Sequence, residues 1–363
     1  MQALANPSLQ RQDAIQKHRE RGGKVAAVLP IHYPRALLRA FDILPVEVWG
    51  PPQVKNRASA VHLQPYICSI AHNALSFLLS GGLERVDYIL VPHTCDTLQG
   101  LGSLLLDLIQ PRQPVLTLYI PRKNDKDGLD FLAKEIESLY LQLEKFTGYS
   151  PSQADLMECI YREESADRAL GDLHAQRKYL DIGSLSFYQL ARAREYLPAE
   201  EFEAIARAAL LAVKREPLQG TPILLSGIVP EPMSILQAID QAGGYIAGDD
   251  LACCGRRVYS PGTSDEPFTR MAESLLYAPA DPTRGSPIQE RYDQLLQLAR
   301  QTGARGILFY EVKFCEPELF DLPSLRKKLL EAGIRSIVVE MDLNDNLSLQ
   351  NMTRLEAFLE TIR

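Results

Sequence analysis

The sequence lacks any apolar run long enough to cross a membrane, and it lacks an excess of basic residues. A membrane-spanning helix needs about 20 consecutive apolar residues, and no stretch of the 363-residue chain approaches that length. Lysine and arginine number 39 against 46 aspartates and glutamates, which leaves a formal charge of −7. Neither nucleic acid nor an anionic membrane is therefore expected as a partner.

The sequence also lacks a secretory signal and an ATP-binding loop of the Walker type. Residues 1–24 lack the apolar core of a secretory signal, so we expect a cytoplasmic protein. No G-x-x-x-x-G-K-[ST] loop occurs, which indicates that the chain does not itself hydrolyse ATP. With 46% hydrophobic and 23% charged residues the composition is that of a globular protein, and the length favours about two domains.

Cysteine is scarce and forms no compact motif. The six cysteines are Cys68, Cys95, Cys159, Cys253, Cys254 and Cys315. In a reducing compartment such thiols are free, metal-bound or catalytic rather than paired as disulfides. No C-x-x-C pair occurs, so spacing alone does not indicate a zinc ribbon or a ferredoxin-type cluster. We interpret Cys159, which lies in a helical pattern, as a small core residue.

Short apolar runs alternate with helical patterns in the first and last thirds of the chain, while the middle has helical patterns only. This alternation predicts an α/β protein with two doubly wound domains, joined by a helical segment. Each domain is expected to have a parallel sheet of the flavodoxin- or Rossmann-like type, and the two sheets are expected to have similar topology. The predicted strands of the first half span residues 24–29, 46–50, 87–91 and 114–119, and from residue 222 the same order of strand, proline-bearing loop, helix and strand returns. The predicted units are an N-terminal helix (1–23, its helical pattern spanning 8–22), a first α/β domain (24–128), a helical segment (129–219) and a second α/β domain (220–363). In the second domain, the helix before the last strand is predicted to begin at Ser324.

Two thiols follow the ends of corresponding strands. Cys95 lies just past the strand at 87–91, and Cys315 lies just past a strand at 306–310. In open α/β sheets ligands bind outside the carboxyl ends of the strands, so we expect a cleft where strand ends of both halves face each other. A four-cysteine cluster cannot be completed by these two thiols and Cys68, but a three-cysteine cubane leaves one iron open for Lewis-acid chemistry. A redox-sensing or nucleophilic cysteine, or simple core thiols, are the alternatives.

Four blocks of sequence, in order along the chain, carry a resemblance to a known family. They are PIHYPRALLRAFDILPVEVWG from Pro30, YICSIAHNALSFLLSGGLERVDYILVPHTCD from Tyr66, GGYIAGDDLACCGRRVY from Gly243, and GILFYEVKFCEPELFDLPSLRKKLLEAGIRSIVVEMD with SLQNMTRLEAFLE from Gly306. Together they resemble the subunits of 2-hydroxyacyl-CoA dehydratases (the D-component of 2-hydroxyglutaryl-CoA dehydratase) and benzoyl-CoA reductases. The chain departs from the family at Arg35, where glutamate is frequent, and in the Cys253–Cys254 pair, where many relatives have one thiol.

The resemblance implies an oxygen-sensitive 4Fe–4S cluster held by Cys68, Cys95 and Cys315. It also implies a heterodimer with a paralogous subunit, and a separate ATP-hydrolysing iron–sulfur activator that supplies one low-potential electron. The implied reaction is dehydration of a 2-hydroxyacyl-CoA to an enoyl-CoA through a ketyl radical, with the thioester carbonyl at the open iron. A subunit of the benzoyl-CoA reductase type, which reduces an aromatic ring, and a non-catalytic electron-relay subunit are the alternatives.

Charged residues outside the thiols are candidates for substrate binding. Asp250, followed by Arg256 and Arg257, lies past a predicted strand and could form a cleft wall in which an arginine meets phosphate or carboxylate; a surface salt-bridge cluster is the alternative. Arg354, on the last predicted helix, could reach a CoA phosphate or pair with its neighbours.

Two histidines are weaker candidates for catalysis. His32 and His93 are predicted to lie on loops beside the cleft, where an imidazole could move protons near neutral pH. The alternative is that each merely caps a strand end.

Overall fold

The computed structural model describes residues 10–55, 57–214 and 216–363, and within them the chain forms eight strands and thirteen α-helices. The strands are β1 (Lys24–Val28), β2 (Ile43–Glu47), β3 (Tyr88–His93), β4 (Val115–Tyr119), β5 (Thr221–Gly227), β6 (Gly244–Leu251), β7 (Gly306–Val312) and β8 (Arg335–Met341). The helices are α1 (Arg11–Glu20), α2 (Arg35–Ala40), α3 (Ser69–Leu79), α4 (Asp96–Leu104), α5 (Lys126–Thr147), α6 (Gln153–Ala175), α7 (Ser184–Arg192), α8 (Ala199–Leu210), α9 (Ser234–Gln241), α10 (Pro267–Leu276), α11 (Ile288–Thr302), α12 (Glu316–Glu331) and α13 (Leu349–Thr361). Residues 8 and 9 of the predicted leading helix lie outside the described residues. No helix of the described ranges combines the length and apolar composition that a bilayer crossing requires.

The strands form two four-stranded, all-parallel sheets with the same order, β2-β1-β3-β4 and β6-β5-β7-β8. The prediction of two doubly wound sheets of similar topology is confirmed. In each sheet the second strand along the chain lies at one edge, beside the first, and the third and fourth strands lie on the opposite side of the first. The switch point therefore lies between β1 and β3 in one sheet and between β5 and β7 in the other, and ligands bind at such points in this class of fold.

The inner faces of the two sheets share one hydrophobic core. Alternate residues of a strand point to opposite faces, so Ile89 of β3 and Leu308 of β7 belong to the shared core. Their neighbours Leu90 and Phe309 belong instead to separate outer cores, one completed by α5, α6 and α10 and the other by α11 and α12. This common core holds the two sheets against each other.

The predicted starts of α12 and β2 are wrong, and a proline explains each error. Helix α12 begins at Glu316, not at Ser324, and Pro323 lies inside it. An internal proline costs a helix about 3 kcal/mol, but the buried Leu322 and Leu325 on either side compensate by packing into the outer core. Strand β2 spans 43–47 rather than 46–50 and contains Pro45, which is tolerated because β2 is an edge strand.

Candidate functional site

A cavity of about 60 Å³ lies where the two switch points face each other. From the first sheet it is lined by residues that follow β1 and β3, and from the second sheet by residues that follow β5 and β7. The lining residues are Pro30, Ile31, Trp49, Cys68, Ile70, Ala71, Thr94, Cys95, Thr97, Leu98, Ile228, Ala252, Thr283 and Cys315. Three thiols that are far apart in the sequence therefore line one cavity, which we call the thiol cavity.

Each of the three thiols occupies the N-cap position of a helix. Cys68 precedes α3, Cys95 precedes α4 and Cys315 precedes α12. The first N–H groups of a helix have no intrahelical partner and carry partial positive charge. At α4 the N–H groups of Thr97 and Leu98 act to lower the pKa of Cys95, although the sulfur accepts no cap hydrogen bond from the described residues. This placement favours the thiolate form, which is the form that binds metals.

Burial acts in the opposite direction on the same thiols. It raises the pKa of Cys95 to about 12 and raises the pKa values of Cys68 and Cys315 above their ordinary value. At neutral pH the three groups are therefore uncharged thiols unless a cation compensates the negative charge of the thiolates.

The residues present fit a cluster better than a single ion. Among the described residues, no three cysteine, histidine or carboxylate side chains are grouped so that they could hold one metal ion. In an iron–sulfur cluster each cysteine binds a different iron, so the thiols need not converge on one point. Three thiols at helix N-termini, with mostly apolar residues between them, provide the soft ligands that such a group requires.

The cavity offers little to a substrate. Apart from the three thiols, none of its lining residues has an ionisable side chain. Pockets that hold a small-molecule ligand measure about 300–1,000 Å³, several times the volume found here. The cavity is therefore small and mostly apolar. Besides the thiols, the polar side-chain groups of its lining residues are the hydroxyls of Thr94, Thr97 and Thr283 and the indole N–H of Trp49, which donates to Glu47.

The charged residues predicted to bind substrate do not line this cavity. Arg256 is fully buried and donates from Nε and Nη2 to Asp250 at 3.2 and 3.1 Å, and from Nη1 to Glu318 at 2.6 Å. Arg257 is buried and donates from Nη1 to Glu47 at 2.5 Å. These residues form ion pairs inside the protein rather than a cleft wall or a surface cluster. Their role in substrate binding stays a prediction.

Arg354 is exposed on α13, where its Nη2 donates to the carbonyl of Val338 at 2.9 Å. It does not line the thiol cavity. Its role in binding a CoA phosphate also stays a prediction.

The two candidate histidines have different surroundings. His93 is the last residue of β3, not a loop residue, and it packs edge-to-face on Tyr119 at 4.5 Å between ring centroids. His32 is buried in the loop after β1, with Nε2 3.7 Å from Asp281 Oδ2 and Nδ1 3.1 Å from the hydroxyl of Tyr259. Burial lowers the pKa of both histidines. Neither lines the thiol cavity, although Ile31 beside His32 does.

Polar contacts that join the two halves were not foreseen. Asn344, in the loop after β8, donates from Nδ2 to Asn73 Oδ1 at 2.9 Å and accepts from Asn73 Nδ2 at 3.1 Å. The N–H of Leu343 donates to Ser69 Oγ at 3.2 Å. Both Ser69 and Asn73 belong to α3, so these contacts hold the helix that begins after Cys68 against the second sheet. A single sequence carries no signal for pairs 271 or more residues apart.

Known proteins resemble the chain over nearly its whole length. The profile of the family described as "2-hydroxyglutaryl-CoA dehydratase, D-component" matches residues 30–362. The (R)-phenyllactyl-CoA dehydratase beta subunit of Clostridium sporogenes is 25% identical over 356 residues, covering 96% of this chain and 94% of that protein. The lactoyl-CoA dehydratase subunit beta of Anaerotignum propionicum is 26% identical, with 94% and 93% covered. One of the subunits of benzoyl-CoA reductase from Thauera aromatica is 24% identical, with 85% and 83% covered.

Proposed function

Since the chain belongs to the 2-hydroxyglutaryl-CoA dehydratase D-component family, we propose that it is the iron–sulfur subunit of an enzyme that dehydrates a 2-hydroxyacyl-CoA to an enoyl-CoA. The proposed cofactor is a 4Fe–4S cluster held by Cys68, Cys95 and Cys315. The observation that carries the proposal is the meeting of these three thiols, each at a helix N-terminus, at one cavity between the sheets.

The side chains around the thiols have a defined task in this function. When bound, the cluster supplies single-electron transfer and an iron with an open coordination position. The three helix N-termini offset the negative charge of the thiolates. Apolar walls such as Ile31, Leu98 and Ile228 exclude water, which strengthens these electrostatic interactions and protects a reactive centre.

We propose that the enzyme needs two further proteins, a partner subunit and an activator. Two of the relatives are named as beta subunits, which supports a heterodimer with a paralogous subunit. The chain has no phosphate-binding loop of the Walker type, so the electron is proposed to come from a separate ATP-hydrolysing iron–sulfur activator.

A second role, electron relay, is favoured by the size and chemistry of the cavity. A volume of about 60 Å³ without an acid or base among its lining side chains is poorly suited to hold a CoA thioester. In that role the thioester binds to the partner subunit, and this chain passes the electron on. The Thauera aromatica relative supports ring reduction as an alternative reaction for the whole enzyme.

Metal analysis after anaerobic purification tests the cluster. We expect about four irons per wild-type chain and a loss of iron in each of Cys68→Ser, Cys95→Ser and Cys315→Ser. Cys159→Ser is the matched control, because Cys159 lies on α6 and packs in an outer core. A colourless, metal-free wild-type protein would contradict the proposal.

The spectrum of the loaded protein separates catalyst from relay. A 2-hydroxyacyl-CoA is added to the loaded chain with its partner subunit, and the electron paramagnetic resonance signal of this chain's cluster is followed. A changed signal supports a thioester at this cluster. An unchanged signal, together with product formation, supports the relay role.

A further inference from the structure

We propose that Tyr259, His32, Asp281 and Thr283 form a proton path between a second cavity and the thiol cavity, and that His32 takes up a proton when the thiol site gains an electron. The inference rests on the proposed function, because it needs a redox centre at the thiols. It adds a proton acceptor to a site whose own lining residues include none apart from the thiols.

The inner end of the path is Thr283. This residue lines the thiol cavity, and its Oγ1 donates to Asp281 Oδ1 at 2.6 Å. Asp281 is fully buried, so its carboxylate carries charge close to the thiol cavity without contact with bulk water. Arg256 Nη1, 3.5 Å from Oδ2, compensates part of that charge.

The centre of the path is the pair of Asp281 and His32. Their facing atoms, Oδ2 and Nε2, are 3.7 Å apart, and neither has a hydrogen-bond partner among the described residues. Buried polar atoms are normally paired. These two atoms are therefore placed to form a hydrogen-bonded ion pair once His32 is protonated, a stronger contact than the one made by the neutral imidazole. His32 also has a φ of 58°, a sparsely populated conformation for a residue other than glycine, of the kind found at functional sites.

The outer end of the path is Tyr259. Its hydroxyl lies 3.1 Å from His32 Nδ1, and its side chain lines a second cavity of about 50 Å³. That cavity is partly open to solvent and is also lined by the acidic Glu163 and Asp167, and Tyr259 itself is half-buried. Solvent protons can therefore approach the phenol, which can pass its own proton to Nδ1 and take another from water.

The charges around His32 decide when it is protonated. Burial is the largest effect and lowers its pKa, Asp281 acts to raise the pKa, and Arg284 and Arg257 act to lower it; Tyr259 faces the other ring nitrogen. The imidazole is therefore neutral near pH 7. One electron from an external one-electron reductant adds negative charge at the thiol site, and one proton from water then converts His32 to imidazolium, which Asp281 stabilises.

The test is a potentiometric titration of the anaerobically purified full chain with dithionite, from about pH 6 to about pH 9. The midpoint potential of the cluster is followed by its visible absorbance. In the wild type we expect this potential to fall as pH rises, by up to about 59 mV for each tenfold drop in proton concentration when one proton follows one electron. In His32→Gln the midpoint should not depend on pH. The matched control is His174→Gln, because His174 also has a carboxylate partner (Nδ1 to Asp249 Oδ2, 3.1 Å) but is not on the path.

The outcomes distinguish this inference from the proposed function. A wild-type protein without iron would refute both. An iron-loaded wild type with a pH-independent midpoint, or a His32→Gln variant with the wild-type slope, would refute the proton path alone. If His32→Gln does not fold, Asp281→Asn decides, because removal of the carboxylate that stabilises the imidazolium should also flatten the slope.

Discussion

Substitution of Asn344 by alanine tests how the second sheet holds the helix that begins after Cys68. The amide of Asn344 exchanges two hydrogen bonds with Asn73 and accepts a third from the N–H of Gln53 at 2.8 Å. Asn73 is fully buried, so the variant leaves a polar group without that partner in the core, which costs about 1–3 kcal/mol. Water can replace the contact with the exposed Gln53. We therefore expect Asn344→Ala to lower the free energy of unfolding by about 2 kcal/mol, a factor of roughly 30 in the unfolding equilibrium.

Two measurements on one sample check this expectation. Urea denaturation gives the free energy of unfolding, and iron analysis after gel filtration shows whether the thiols still retain the metal. Asn351→Ala is the control, because the side chain of Asn351 on α13 makes only long hydrogen bonds with the part of the chain that the structure describes, 3.7 Å from Nδ2 to Met341 Sδ and 3.5 Å from Arg354 Nη1 to Oδ1. If Asn344→Ala matches the control in both stability and iron content, the contact with Asn344 does not hold α3 in place.

Three further predictions concern buried groups. Arg256→Met should lower the free energy of unfolding by about 3–5 kcal/mol, because the carboxylates paired with Arg256 become uncompensated buried charges; a melting temperature equal to that of the wild type would contradict this. Burial acts to raise the pKa of Glu163, but its ion pairs with Arg194 and Arg35 outweigh burial and lower the pKa from 4.5 to about 2. Because the folded-state pKa is the lower one, about 3 kcal/mol of stability is present above about pH 4.5 and lost towards pH 2, and Glu163→Gln should flatten that acid-induced loss in urea titrations. In α4, a Cβ at Gly102 would lie 2.5 Å from His93 Nε2, whereas one at Gly100 meets nothing within 4 Å. Thermal melts should therefore show Gly102→Ala destabilised by about 1–3 kcal/mol and Gly100→Ala stabilised by about 0.5–1 kcal/mol; equal effects would mean that His93 does not pack as described.

The fold could be predicted because its signals are local. A buried parallel strand is a short apolar run, and its connection to the next strand is a helix with its own periodicity. Both signals lie within a few residues of each other, and they identified both sheets and the helices between them. They failed where proline was treated as a boundary, at Pro45 in β2 and Pro323 in α12, because tertiary packing and edge position outweighed local preference.

The site was predicted only in part. The rule that ligands gather at strand ends placed Cys95 and Cys315 in one cleft, and a three-cysteine cubane was considered with Cys68 as the third thiol. The resemblance to the family then implied all three as cluster ligands. The helix N-cap positions of the thiols were not foreseen, because cysteine is not among the residues that favour an N-cap. The internal pairing of Arg256 and Arg257 was also missed, since their partners Glu318 and Glu47 are 62 and 210 residues away.

By itself the sequence determined the class of fold, the duplicated order of strands and the candidate thiols, because these depend on the spacing of residues that are close together in the chain. Only the tertiary structure decided which side chains meet. The shared core between the sheets brings Cys68 and Cys95 of one half to Cys315 of the other. Arg256 and Arg257 form buried ion pairs and do not line that cavity. Such contacts depend on how two distant segments pack, and packing is a property of the whole folded chain that short sequence patterns do not contain.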